Sequence, residues 1–515
     1  MKKLYLLLFA PVMLYLQSCR YDKIDVSEAA GVAGYPENVG KIFLSGCAIT
    51  GCHTTNDKHF ASGLDLSSWD ALFQGARNGS PVVPFTSKYS FLCYFINSYP
   101  DLGVTNADVG NTMPPPPGAV LSHDDVALIQ SWINDGAPDK DGNFKFPDEP
   151  GRKKIYAANS GCDEVAVIDA ATRQVMRYVS VGADATNEMP HQIRISPDGN
   201  YWYVVFRNGQ YLQKFSTFDD SFVSQVNIGF GAWNSMAITP DGNHAFVVNF
   251  FPSPVGGVTH VNLQTMAVNS YTPMDSPHGA YFMQTQNVLY VTAQLGNFIY
   301  KFDFSTDPNY TFLDNPAKIT MQTGAFPVTI SSFDPHEIIF TPDESKYFVT
   351  CQGTNEVRVF SAANDALLDS IAVGDFPQEM ALSPSHNYLL ITCQEDSTSS
   401  SVQPFVEKGS VIIYNYQSGQ VLPINNTATL GLTRVYQPHG IAVDEASGKA
   451  FVASLNYSTD GPAPHHPGSC TGRNGFMTAI DLNTLEYVNF FVPELSFSYL
   501  YKAELLSFPY SVMAK

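Results

Sequence analysis

Charge is what this sequence has least of. Asp, Glu, Lys and Arg make up only 15% of its 515 residues, and the basic ones are scarcer: 28 against 48 acidic, a formal net charge of −20 at pH 7. An acidic surface repels phosphate backbones, so nucleic acid is not an expected partner and a basic protein surface is favoured instead. Eight cysteines in so long a chain are too few for a dense disulfide framework, although they suit an oxidising compartment. No Ser-His-Asp arrangement, phosphate loop or nucleotide fingerprint stands out, which leaves the enzyme classes built on them without support. Beyond the first 16 residues no segment approaches the ~20 apolar residues of a membrane helix. What is present is a globular composition, 44% hydrophobic and 13% aromatic, in a chain long enough for two domains.

The N-terminus reads as a processing signal. Lys2 and Lys3 precede an apolar stretch from Leu4 to Leu16 that contains Pro11 and is short for a bilayer. The stretch ends in Leu16-Gln17-Ser18-Cys19, which resembles a bacterial lipobox. That resemblance implies removal of residues 1–18, a lipid on the Cys19 thiol, and export with anchorage to a bacterial membrane. The expected location is the outer membrane facing the periplasm, or the cell surface.

Next comes Cys47-Ala48-Ile49-Thr50-Gly51-Cys52-His53. A C-x-x-C-H run attaches haem; here two further residues separate the cysteines and must bulge outward. Alone, the motif also fits a disulfide or half of a zinc site. Downstream, Met113 precedes four prolines, Pro114 to Pro117, which hold the chain extended and stiff. Ser122 and Asp125 form the start of a helix whose apolar face is Val126, Ile129, Trp132 and Ile133, stopped by Gly136-Ala137-Pro138. This order resembles a cytochrome c domain, especially those fused to other modules in exported bacterial proteins. The resemblance covers about a fifth of the chain. It implies a small all-α domain over residues 30–138, one haem c held covalently by Cys47 and Cys52, and His53 and Met113 as axial ligands of its iron. His59 is the competitor for the Met113 position.

Residues 139–152 hold Gly, Pro, Asp and Lys without apolar periodicity and read as a linker. From residue 153 the sequence repeats. The anchor Pro-His-Gln-Ile-Arg-Ile-Ser-Pro-Asp-Gly at Pro190 has relatives starting at Trp233, Pro277, Pro335, Pro377 and Pro438, and a last one at Phe508-Pro509. The period is that of a four-stranded propeller blade. The C-terminal anchor lacks outer strands and the start of the repeat region lacks an inner one, so together they complete a blade. Residues 153–515 are therefore expected to form an all-β seven-bladed propeller closed by the C-terminal strand. Runs such as Tyr156-Ala157-Ala158-Asn159 and Ile371-Ala372-Val373-Gly374 resemble the YVTN-type propeller repeat.

The residue after each anchor proline or its equivalent is His191, Asn234, His278, His336, Gln378, His439 and Tyr510. These should ring one mouth of the central channel. Polar residues lining a wet channel account for the pattern; so does a copper, zinc or second haem site on His191, His278, His336 and His439. Neighbouring loops carry Cys162 and Cys470, an expected disulfide between adjacent blades. The leading expectation is an electron-transfer protein whose propeller docks a redox partner, with its haem turned toward the histidine mouth. The alternatives are a redox enzyme acting at that mouth, and a carbohydrate- or protein-binding module.

Overall fold

The structure, a computed structural model, describes residues 32–515 except 78, 185, 252–255, 312–315, 323–332, 396–406, 426–433, 457–473, 493–496 and 501. Cys19, Cys470 and the residues before position 32 thus lie outside the described residues. No described helix is long and apolar enough to cross a membrane.

Residues 154–514 form a seven-bladed β-propeller. Blade one has Pro509–Ala514 innermost, then Lys154–Asn159, Glu164–Asp169 and Val175–Ser180. The ring closes by antiparallel pairing of Ile155 with Ala514, Tyr156 with Met513 and Ala157 with Val512. The other innermost strands are Pro190–Ile195, Trp233–Ile238, Pro277–Phe282, Pro335–Phe340, Pro377–Ser383 and Pro438–Asp444. Each begins at an anchor of the sequence repeat. Blade seven carries an addition that the repeat does not foreshadow: Ala503–Leu506 pairs with Gly475–Asp481, beside a hairpin of Asn489–Val492 and Phe497–Leu500.

The amino-acid pattern explains the layering. Second strands such as Val288–Ala293 are buried along their whole length, because neighbouring blades cover both faces, and they read as continuous apolar runs. Outer strands such as Ala267–Pro273 are mostly exposed. At the far end of the inner strands, Ser196, Thr239 and Thr341 donate to Asp198, Asp241 and Asp343 at 2.5, 2.6 and 2.6 Å. These self-closed turns are the Ser/Thr-Pro-Asp tail of the repeat. Entry into the inner strands is strained: Met189, Ser276, Asp334, Phe376, Gln437 and Phe508 all have φ between 44° and 59°, a left-handed conformation disfavoured for non-glycine residues.

Hydroxyls on second strands lock adjacent blades. Gly279 N–H donates to Thr292 Oγ1 (2.7 Å), which donates to the His336 carbonyl (2.8 Å). Thr350 links Glu337 N–H to the Gln378 carbonyl, and Thr392 links Glu379 N–H to the His439 carbonyl. Blades one and two are joined by a wholly buried ion pair, Lys154 Nζ to Asp220 Oδ2 at 2.8 Å.

The N-terminal segment is helical: α1 (Glu37–Gly46), α2 (Trp69–Leu72), α3 (Phe91–Ile96), α4 (Asn106–Val109) and α5 (His123–Asn134). Ser122 Oγ caps α5 by accepting from Asp125 N–H. Tyr35, Phe43 of α1 and Trp132 of α5 meet edge-on, with ring centroids 5.2 to 6.1 Å apart. The segment packs along the rim of blade one. Gln174 Nε2 donates to the Phe73 carbonyl (2.5 Å), Val175 N–H to Ser80 Oγ (2.9 Å), and Tyr89 OH to Glu164 Oε1 (2.9 Å). These contacts run along blade one's outer strands. Residues 139–152 are not a free tether. Phe146 is buried against Phe73, Lys145 reaches Asp70, and Asp148 pairs with Arg177.

Candidate functional site

Two places gather chemistry-bearing residues. In the helical segment, α1 ends at Gly46 and the chain turns through the cysteine motif. Cys52 N–H donates to the Ile49 carbonyl (3.0 Å), and Gly51 takes φ +81°, the left-handed value that a turn of this kind demands at its third residue. His53 N–H then returns to the Cys47 carbonyl at 3.2 Å. The two extra residues are thereby looped out, with Thr50 and Gly51 exposed. Neither Cys47 nor Cys52 is in a disulfide. Burial pushes the Cys47 thiol up to about 12, and the nearby Cys52 adds to the rise.

His53 Nδ1 lies 3.2 Å from the Leu64 carbonyl. A carbonyl only accepts, so Nδ1 carries the proton and Nε2 the lone pair. Burial lowers the pKa of this imidazole, against the opposing pull of that carbonyl and of Asp65. Met113 packs, with Leu64 and Leu121, on the core that holds Cys47, and its N–H donates to the Phe95 carbonyl at 2.9 Å. His59 sits on the short turn Lys58–Phe60, its ring 3.9 Å from that of Phe60.

The second place is the propeller mouth. His191, Asn234, His278, His336, Gln378 and His439 are all buried there. They divide into two groups. His439, Tyr510 and His191, on consecutive blades, have neighbouring rings 4.5 and 5.3 Å apart. Each of these two histidines has Nδ1 committed to a backbone carbonyl, His191 to Asn234 (3.1 Å) and His439 to Tyr510 (2.9 Å). His278 and His336 form the second group, ring centroids 3.7 Å apart, with Glu337 Oε1 3.6 Å from His278 Nδ1. A metal site on the four histidines was one of the two readings of the ring; among the described residues, the donors that fall within 4.8 Å of one another are His278, His336 and Glu337.

Burial keeps the mouth imidazoles neutral, holding His191 down to about 3, His278 to about 4 and His439 to about 3, with neighbouring charges adding smaller effects. On the channel side, burial raises the pKa values of both Glu337 and Glu379, the Glu337 charge adds to the rise at Glu379, and Arg194 opposes both. These residues line a cavity of about 460 Å³.

Glu337 was not foreseen, because alternation should send consecutive strand residues to opposite faces. A register irregularity between Pro335 and Ile338 breaks that alternation. The legible signal is the acidic residue following the ring position in Pro335-His336-Glu337 and Pro377-Gln378-Glu379. Cys162 is disulfide-bonded; its expected partner Cys470 lies outside the described residues.

The described strands define a closed seven-bladed propeller carrying a helical N-terminal segment on its rim. Among solved structures, the chain is similar to a functionally unknown protein from Desulfotomaculum acetoxidans DSM 771, at 14% identity over 70% of this chain and 98% of that one, TM-score 0.49. It is also similar to Kuenenia stuttgartiensis hydrazine synthase, at 17% identity over 59% of this chain and 79% of that one, TM-score 0.44. No protein-family profile matches the sequence, and no curated protein does.

Proposed function

We propose that the chain is an exported electron-transfer protein that binds one haem c in its helical segment and uses the propeller to dock a redox partner. The observation that carries this reading is the His53 imidazole, anchored through Nδ1 to Leu64 with Nε2 left as the lone-pair atom, directly after a looped C-x-x-x-x-C turn. The residues present fit the group. Cys47 and Cys52 are thiols outside any disulfide and would hold it covalently, while His53 and Met113 would supply nitrogen and thioether ligands. When bound, the haem supplies one-electron exchange at its iron. The protein's part is to fix the imidazole orientation, bury one thiol, and hold Met113 against the same core. A lipid on Cys19 would anchor the protein to its membrane, and the acidic surface favours a basic redox partner.

The test is expression with a haem-attachment system, followed by denaturation and acid-acetone extraction. Colour and haem mass that stay with the polypeptide, and vanish in Cys47→Ala/Cys52→Ala, support the reading. Complete extraction of haem from the wild-type chain would overturn it.

A further inference from the structure

Beyond electron transfer, we infer that His278, His336 and Glu337 form a binding site for one divalent first-row transition-metal cation at the propeller mouth. Two imidazole nitrogens and one carboxylate are the donor set of open zinc sites, in which water takes the fourth position. The three donors lie within 4.8 Å of one another, and His278 Nδ1 is 3.6 Å from Glu337 Oε1. Tetrahedral bonds of ~2.0–2.1 Å place donors about 3.3 Å apart, so side-chain rotations of modest size suffice to close the site.

A purely structural role leaves the arrangement unexplained. All three side chains are buried, and among the described residues His336 Nδ1 has no hydrogen-bond partner. Buried polar atoms are almost always satisfied. The contrast with His191 and His439, whose Nδ1 atoms are each held by a carbonyl, sets His336 apart.

The backbone is built for the approach. A Cβ on Gly279 would come within 2.5 Å of the His336 carbonyl and 2.8 Å of Glu337 Cα, so only glycine lets the inner strands of blades four and five meet so closely. Thr292 then ties those strands together. The donors therefore stand on sheet framework and not on loops. Among surrounding charges, Asp334 beside His278 favours a cation, and Arg207 opposes it.

The test uses the full chain, chelator-treated and dialysed, titrated with Zn²⁺ by calorimetry and with Co²⁺ by visible absorption. The expected result is one ion per chain, with tetrahedral cobalt bands that Zn²⁺ displaces. His336→Ala and Glu337→Gln should each weaken Zn²⁺ binding by more than about 100-fold, the upper limit for losing a mere supporting contact. His386→Ala, away from the mouth, should leave it unchanged. Metal-free melting curves check folding, and Glu337→Gln, which keeps size and shape, decides if His336→Ala does not fold. Cys47→Ser/Cys52→Ser, which abolishes haem attachment, should bind Zn²⁺ as the wild type does, so this site and the haem site succeed or fail separately. Absence of stoichiometric binding, binding indifferent to His336 and Glu337, or binding lost with the two cysteines would overturn the assignment.

Discussion

The Nδ1–H of His53 points at the carbonyl of Leu64, 3.2 Å away, and this one bond decides which nitrogen is left to act. If His53 and Met113 were to hold a haem iron, the thioether would raise its midpoint potential. Met113→Ala should therefore lower the potential measured by redox titration and change the long-wavelength absorption of the ferric protein. An unchanged potential would move the ligand elsewhere, first to His59.

The Lys154–Asp220 pair predicts an asymmetry in stability. Lys154 Nζ also donates to the Thr217 and Phe218 carbonyls, and Tyr156 OH to Asp220 Oδ1. Asp220→Ala should cost about 3–5 kcal/mol, because it leaves a buried ammonium uncompensated. The apolar double variant Lys154→Met/Asp220→Leu should lose less, its remaining cost being the Tyr156 hydroxyl and the two carbonyls left without these partners. Denaturant unfolding of both variants makes the comparison; equal losses would contradict it.

Acid sensitivity should come from the buried histidines, with the blade-three pair contributing beside the mouth imidazoles. His244 Nδ1 and His260 Nε2 share a hydrogen bond at 2.9 Å, and the His260 ring stacks on Phe246. Burial, with His244 beside it, lowers His260 to about 4. Because the folded value is depressed, the unfolded chain takes up the proton first. Stability is complete above pH 6.5 and falls as pH drops toward 4, by about 1.4 kcal/mol per pH unit for one such group. His260→Gln should make the fall in melting temperature between pH 7 and pH 4.5 shallower by one group's share, the mouth imidazoles keeping the rest; a profile as steep as the wild type would refute this.

Cys162 is in a disulfide while Cys47, Cys52, Cys93, Cys351 and Cys393 are not, which leaves Cys19 and Cys470 as candidate partners. Peptide mapping without reductant is expected to recover Cys162 joined to Cys470, since Cys19 is the expected lipid site. Recovery of Cys162 with Cys19 would refute both assignments.

The blades were legible because each inner strand opens with the same proline or tryptophan position, and because the two chain ends supply complementary parts of one blade. The ring of histidines was legible for the same reason: repetition copies position. Their division into two groups was not. It depends on which imidazole finds a carbonyl, a relation between blades that no single repeat encodes. Glu337 was hidden by the bulge at its strand's start, and the role of Gly279 by the fact that a glycine's neighbours are invisible without the fold. The rim position of the helical segment was equally illegible, since Ser80, Tyr89 and Gln174 look like ordinary polar residues until they meet.

The pairing of Ile155 with Ala514 also imposes an order in time. Lys154–Asn159 leaves the ribosome some 350 residues ahead of its inner partner, an interval on the order of half a minute at typical synthesis rates. Throughout that interval the inner edge of blade one stays open, and the helical segment leans on the opposite, outer strands. A chain stopped before Pro509 would keep that edge open permanently, inviting proteases and stray strands. The ring thus doubles as a report that synthesis reached its closing strand.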